Sequence, residues 1–328
     1  MNFTIIRILL RRFFSSVILL FFLVSFIFIL LRYSPGDPVQ KFISPELSPQ
    51  LSSQIRESFG LNESIFSQYF RFIQNFTTGD MGISYNYRIP VLSVIQDYLP
   101  FTLIFSLISF TLMITIGLWT AILSSRKIDG IFDRVMSKLS LVAYSLPVYV
   151  FGIVLIYMFS LILPLFPSSD LHSFNFQRMT FFEKLFDYFR HMTLPVITLS
   201  TGGIVIFYKY LRDNISMIYN KPFVLNLRAS GVPENKILYK HVIPNAIGPF
   251  VSIAGIELGM LFGGALITEV IFGLPGMGRL AVNAILFRDY PLVVGCTFIS
   301  GFLIIITNLF ADIVKVKIDK RLIKEILN

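Results

Sequence analysis

Glu257 stands inside an apolar run, Ala246 to Phe272, that contains no Lys or Arg, with Ile253 and Leu261 one turn away on either side. A carboxylate in such surroundings does not face hydrocarbon; it needs a cation or a hydrogen-bond donor. Glu269 lies nearer the end of the same run, and Arg279, Arg288 and Asp289 follow it, a set able to pair around a closure. Asn308 and Asp312, four apart on one helical face, are placed to fasten the last apolar run to its neighbours. Catalytic groupings are missing. His172, His191 and His241 are scattered without metal-ligand spacing, Cys296 is the single cysteine and lies in an apolar run, and no Gly-x-x-x-x-Gly-Lys-Ser/Thr loop occurs to cradle a nucleotide. The chemistry on offer is recognition and charge pairing, with no bound cofactor or metal expected.

The elements that position these groups follow from composition. Of 328 residues 55% are hydrophobic and 14% charged, 35 are Phe, and the mean hydropathy is +0.73. That leaves too little polar surface to cover a water-soluble globule, so much of the chain has lipid as its solvent. Phe13 to Leu31 is free of charge, proline and glycine and is long enough to cross a bilayer. It follows Arg7, Arg11 and Arg12, and no small-x-small cleavage site comes after it, so it reads as a retained anchor. Leu99 to Leu123, Leu139 to Leu165, Leu194 to Tyr208, Ala246 to Phe272 and Pro291 to Val314 complete six expected spans. The fourth is short and is expected to continue past Lys209 as a helix protruding into water.

Segments 1–12, 124–138, 209–245 and 315–328 hold 18 Lys and Arg against 6 acids, whereas 32–98, 166–193 and 273–290 hold 10 against 10. By the positive-inside rule the first set, with both termini, is cytoplasmic. The net charge of +9 therefore reports topology and contact with anionic lipid, not nucleic acid. The expected layout is a cytoplasmic N-terminus (1–12), a first transmembrane helix (13–31), an outer loop with short helices (32–98), a five-helix core (99–314) and a cytoplasmic tail (315–328).

In that outer loop Ser48-Pro49 opens an expected helix Gln50 to Phe59, and Ser64 opens another, Ile65 to Phe76, whose apolar face must pack as a lid on the spans or dock an external partner. Phe181, Phe182, Leu185, Phe186 and Phe189 read as an interfacial helix. On the cytoplasmic side Pro222 starts a short helix to Ser230, Gly231 stops it, and Pro233-Glu234 start a second, ending near His241 before Pro244 breaks the chain. Two short helices joined at a glycine make a compact knob that transmits motion if a partner grips it, or merely caps the bundle.

Arg228-Ala229-Ser230-Gly231 followed by His241-Val242-Ile243-Pro244-Asn245-Ala246 resembles the cytoplasmic signature of binding-protein-dependent ABC importer permeases. Arg32-Tyr33-Ser34-Pro35-Gly36-Asp37-Pro38, Phe59-Gly60-Leu61, Gly79-Asp80-Met81-Gly82-Ile83-Ser84, Glu269 through Gly278 and Arg288-Asp289-Tyr290-Pro291 extend the resemblance, in order and spacing, to the first-type permease subunit of oligopeptide, dipeptide and nickel importers. It covers about residues 5 to 323. Two departures stand out: Leu225-Asn226-Leu227 replaces the Glu-Ala-Ala of the broader signature, and Lys320 stands where the family usually has proline.

The resemblance implies an all-α, six-span type I importer permease fold in a prokaryotic cell membrane. Its implied partners are a homologous second permease, two cytoplasmic ATPases that hold ATP and Mg, and an external solute-binding protein. Residues 222–241 would be the coupling helices seated on one ATPase, with Arg228, Ala229, Ser230, Gly231, Pro233, His241 and Pro244 forming or flanking that contact. Glu257 would then meet a cationic group on the substrate, or hydrogen-bond to the second permease across a glycine-rich surface; Glu269 with Arg279, Arg288 or Asp289 would form an outer gate or a merely structural network. The cargo reads as short peptides, with nickel or a metal chelate as the alternative. From another class, an ATP-independent secondary transporter would show inverted repeats and more than one midplane acid.

Overall fold

The computed structural model describes residues 3–34 and 63–318, and these are helical apart from turns and an isolated bridge between Ile83 and Pro90. With no water in the bilayer to satisfy them, backbone amides and carbonyls bond within their own helix. The helices are α1 (Phe3–Tyr33), α2 (Ile65–Thr77), α3 (Val91–Ser125), α4 (Ile131–Ser145), α5 (Val148–Ile156), α6 (Phe181–Tyr219), α7 (Pro222–Ala229), α8 (Glu234–Ile237), α9 (Ile243–Phe262), α10 (Leu266–Ile271), α11 (Met277–Leu286) and α12 (Tyr290–Ile318). Among the described residues five helical stretches are long and apolar enough to cross a membrane, and a bent pair makes a sixth if counted as one span. The expected helix Gln50 to Phe59 lies outside the described residues.

Several sequence expectations need correction. The third span is not one straight helix: α4 and α5, the latter extended by a π turn over Tyr157–Ile162, meet at 97°. The break falls at Leu146-Pro147, where Leu146 turns to extended backbone as the residue before a proline tends to. The Phe181 to Phe189 segment is not a separate interfacial helix. It is the opening of α6, whose 39 residues run on past Lys209 for about 58 Å at 1.5 Å per residue. Ala246 to Phe272 is interrupted at Gly263-Gly264, Gly264 having φ +113°, so Glu269 lies on the separate α10. Pro244 does not break the chain either. It occupies the first turn of α9, where its missing N–H costs nothing, and a π turn over Leu238–Val242 joins α8 to α9. Finally α3 begins at Val91, inside the segment assigned to the outer loop.

Packing sets the arrangement. α1 lies against α12, with Leu20 and Val24 against Val294, and Leu20 fills the space a side chain at Gly301 would need. Arg12 and Asp312 pair at one end of this couple, so the start of α1 and the end of α12 share a side of the bundle. α2 rests on the same pair. Its N-cap Ser64 accepts the Ser67 amide at 3.2 Å, Phe72 stacks on Phe28 at 4.8 Å, Phe76 meets Phe298 edge-on at 4.6 Å, and Tyr69 and Ser25 hydroxyls bond at 2.9 Å. The apolar face of α2 is thus a lid covering its own spans. At the centre α3 crosses α6 where a Cβ on Gly117 would come within 2.6 Å of the Phe207 Cβ, so only glycine permits the approach.

Phe70 is 68% exposed on α2, Asn235 is exposed on α8, and Cys296 is 2% exposed. A membrane-impermeant maleimide is therefore expected to label Phe70→Cys in intact cells and Asn235→Cys only after the membrane is opened, with no background from Cys296. The opposite pattern would invert the topology.

Candidate functional site

The cytoplasmic knob is held firmly from within and presented outward. Pro222 is preset for the first turn of α7. At the other end the Gly231 amide donates to the Arg228 carbonyl at 2.9 Å and the Val232 amide to the Leu227 carbonyl at 3.1 Å, while Gly231 takes φ +75°. This is the glycine-terminated helix stop, and Leu227 and Val232 both pack on the core. Val224, Ile237 and Leu238 are buried beneath the knob. Across its apex the Arg228 guanidinium donates to both Glu234 carboxylate oxygens, at 2.5 and 3.3 Å, and lies 5.4 Å from the centre of the Tyr219 ring. Glu234 holds the Arg228 pKa above its ordinary value. Ala229, Ser230, Gly231 and Pro233 are exposed, and no atom lies within 4 Å of where a Gly231 Cβ would be. His241 and Pro244 stand apart from this surface; the Asn245 side-chain Nδ2 donates to the His241 carbonyl at 2.6 Å as α9 begins.

The spans brace the knob through residues that sequence reading passed over. Arg126 at the end of α3 donates to the Tyr239 hydroxyl at 2.8 Å. Asp133, 2% exposed on α4, receives the Arg212 guanidinium of α6 at 2.6 and 3.1 Å, with the Tyr208 hydroxyl at 3.3 Å. Between the α3–α4 turn and the knob lies a polar cleft of about 540 Å³, lined by Arg126, Asp129, Asn220, Arg228, Glu234 and others. An acid and a base at the membrane ends of two apolar runs was the available signal, but 79 positions separate them.

The expected outer gate does not assemble as one cluster. Glu269, fully buried, accepts the Thr102 hydroxyl at 3.0 Å, the Arg279 amide at 3.0 Å and the Gly278 amide, so it caps the start of α11 from α10. Thr102 in turn accepts the Met277 amide at 2.7 Å. The Arg279 side chain turns instead to the Gly273 carbonyl. Asp289, also fully buried, belongs to a second network: it accepts the Asn86 amide at 3.0 Å, the Leu292 amide at 3.3 Å and the Ser84 hydroxyl, pinning the outer 82–90 segment to the start of α12. Arg288 contributes its side chain to neither. Asp312 does fasten the last span, through Arg12, while Asn308 is exposed. Glu257 is half-buried and has no hydrogen bond or ion pair among the described residues.

A family model described as binding-protein-dependent transport system inner membrane component matches residues 113–324, and its N-terminal companion matches residues 5–108. The chain belongs to this family. It is the permease subunit of an ATP-binding-cassette importer and a multi-pass protein of the cell membrane. The oligopeptide transport system permease protein AppB of Bacillus subtilis is 31% identical over 95% of this chain and 98% of its own length. A dipeptide transport system permease protein, DppB of Alkalihalophilus pseudofirmus, is 28% identical over 90% and 92%. The nickel import system permease protein NikB of Staphylococcus aureus is 29% identical over 97% and 92%. The permease therefore operates within a binding-protein-dependent system of several components.

Proposed function

We propose that this permease forms, with a homologous second permease, the pathway for short peptides delivered by an external solute-binding protein, and that two cytoplasmic ATPases drive it through residues 222–241. The chain itself is non-catalytic. ATP and Mg belong to the ATPases, whose closure on nucleotide supplies the mechanical step. The observation that carries the reading is the knob: an exposed Ala229-Ser230-Gly231 apex, locked by Arg228 to Glu234, whose second helix continues through a π turn into α9. A push on the apex is delivered to a transmembrane helix without an intervening flexible linker. Arg126 on Tyr239 and Arg212 on Asp133 carry the same displacement to α3, α4 and α6.

Peptide cargo is supported by the oligopeptide and dipeptide permeases among the relatives, and a nickel or metal-chelate cargo by the nickel permease of similar identity. Gentle purification of a tagged copy from its native membrane is expected to bring down a second permease and P-loop ATPases, identified by mass spectrometry. Recovery of the chain alone, from a preparation whose other membrane complexes survive, would overturn the assembly. The ligand of the associated binding protein, peptide or metal, decides between the two cargoes.

A further inference from the structure

Glu257, in the second half of α9, is an acid within a span for which this chain, among its described residues, supplies neither a partner nor complete burial. Residues three and four apart share a helical face, so Phe250, Ala254, Glu257 and Leu261 stand in one row. Phe250, Ala254 and Leu261 are buried in the cluster that contains Phe207 and Leu211 of α6. The glycine row of α9 lies about 160° away around the helix at 100° per residue. That row is already occupied from within the chain: Cβ atoms at Gly255 and Gly259 would strike Ala311 and Thr307 of α12. The close-packing surface of α9 is thus not available to bring a second subunit to Glu257. On the other side of the Glu257 row, Ile256 and Met260 are 48% and 62% exposed. The carboxylate emerges where the packed face of α9 meets its open face.

Its surroundings determine what it can do. Aliphatic walls give a carboxylate a long electrostatic reach, attracting a passing positive charge and repelling a negative one. Its position also links it to the drive. From Ile237 in the knob to Glu257 is twenty residues of one helical path, about 30 Å. Displacement of the knob therefore displaces the carboxylate.

We infer that Glu257 is a specificity-determining residue of the translocation path, favouring cargo that carries a positive charge, whether an ammonium group of a peptide or a divalent metal ion. The inference rests on the permease reading above. The test uses the complete importer with its binding protein in proteoliposomes and compares uptake of Ala-Lys-Ala, Ala-Ala-Ala, Ala-Glu-Ala and Ni²⁺ by the parent, Glu257→Gln and Glu257→Asp. The binding protein is common to all three, so its own preferences cancel in each variant-to-parent ratio. Glu257→Gln is expected to lower the Ala-Lys-Ala to Ala-Ala-Ala uptake ratio roughly tenfold and to narrow the gap to Ala-Glu-Ala, with binding-protein-stimulated ATPase activity unchanged. Glu257→Asp, which keeps the charge, is expected to restore most of the ratio. Equal effects of Glu257→Gln on all three peptides, or failure of Glu257→Asp to restore the ratio, would overturn the inference and leave the importer reading intact. If the parent takes up Ni²⁺ and no peptide, the peptide reading fails; the inference then stands if Glu257→Gln lowers Ni²⁺ uptake and falls if it does not. Absence of any ATP-dependent uptake by the parent would overturn the permease reading, and the inference with it.

Discussion

Gly231→Trp is expected to abolish uptake, by more than tenfold, while the chain still inserts and still assembles with its partners. Two physical effects act at this position and can be separated. Gly231 has φ +75°, a conformation that costs an ordinary residue about 1–2 kcal/mol, and its Cβ direction opens onto solvent with nothing within 4 Å. A Cβ at this position therefore meets nothing in the permease itself. The indole projects from the exposed apex formed by Ala229, Ser230 and Gly231, where a seated ATPase surface would have to approach. Gly231→Asn supplies the control, because asparagine tolerates the left-handed region and adds little bulk. Uptake near the parent level for Gly231→Asn and lost for Gly231→Trp, with ATPase stimulation lost in parallel, is the signature of a blocked contact. Equal losses would point to backbone strain, and normal uptake by Gly231→Trp would remove residues 222–241 from the coupling path.

How much of this was legible beforehand depended on whether the signal was local. Span existence was readable, since runs such as Phe13 to Leu31 announce themselves by composition alone. The Ser64 cap and the three- and four-residue repeats of Ile65, Tyr69 and Phe72 and of Phe66, Phe70 and Ile73 likewise indicated α2, although Phe66 and Phe70 stay exposed, and the proline and glycine pair at Pro222 and Gly231 indicated the knob. Direction within an apolar run was not readable. Leu139 to Leu165 is uniformly apolar, and hydropathy is blind to the 97° turn at Pro147. Pro244 and Gly264 show the same limit in opposite senses: proline is a breaker inside a helix and harmless in its first turn, while a glycine in a glycine-rich run serves equally as a packing surface or as a break. Partner choice was the least legible. Asp133 meets Arg212, and Glu269 meets backbone amides instead of Arg288, because tertiary packing brings these groups together across 79 and 10 positions respectively. Charge pairing read from proximity in sequence favoured the wrong donors for Glu269, since a buried carboxylate at a helix start is satisfied by amides without any cation.

That arrangement makes the second large prediction. Glu269→Ala removes the acceptor for the buried Gly278 and Arg279 amides, a cost of about 1–3 kcal/mol for each donor left unpaired, and is expected to lower the thermal midpoint of the detergent-solubilised complex markedly. Gly276→Ala is expected to do the same for a different reason. Gly276 has φ −112° and ψ 170°, which alanine adopts freely, but a Cβ there would collide with the Glu269 carboxylate. Since each substitution acts through the other residue, the two should not add. With the carboxylate gone, the alanine methyl has room, and the double variant Glu269→Ala, Gly276→Ala should lose clearly less than the sum of the single losses. Strict additivity would mean that the two side chains do not meet. The same series decides what Glu269 does in transport. A residue that locks α10 to α11 lowers uptake only as far as it lowers the midpoint, whereas a charge that opens and closes the path would alter uptake at temperatures where every variant is fully folded.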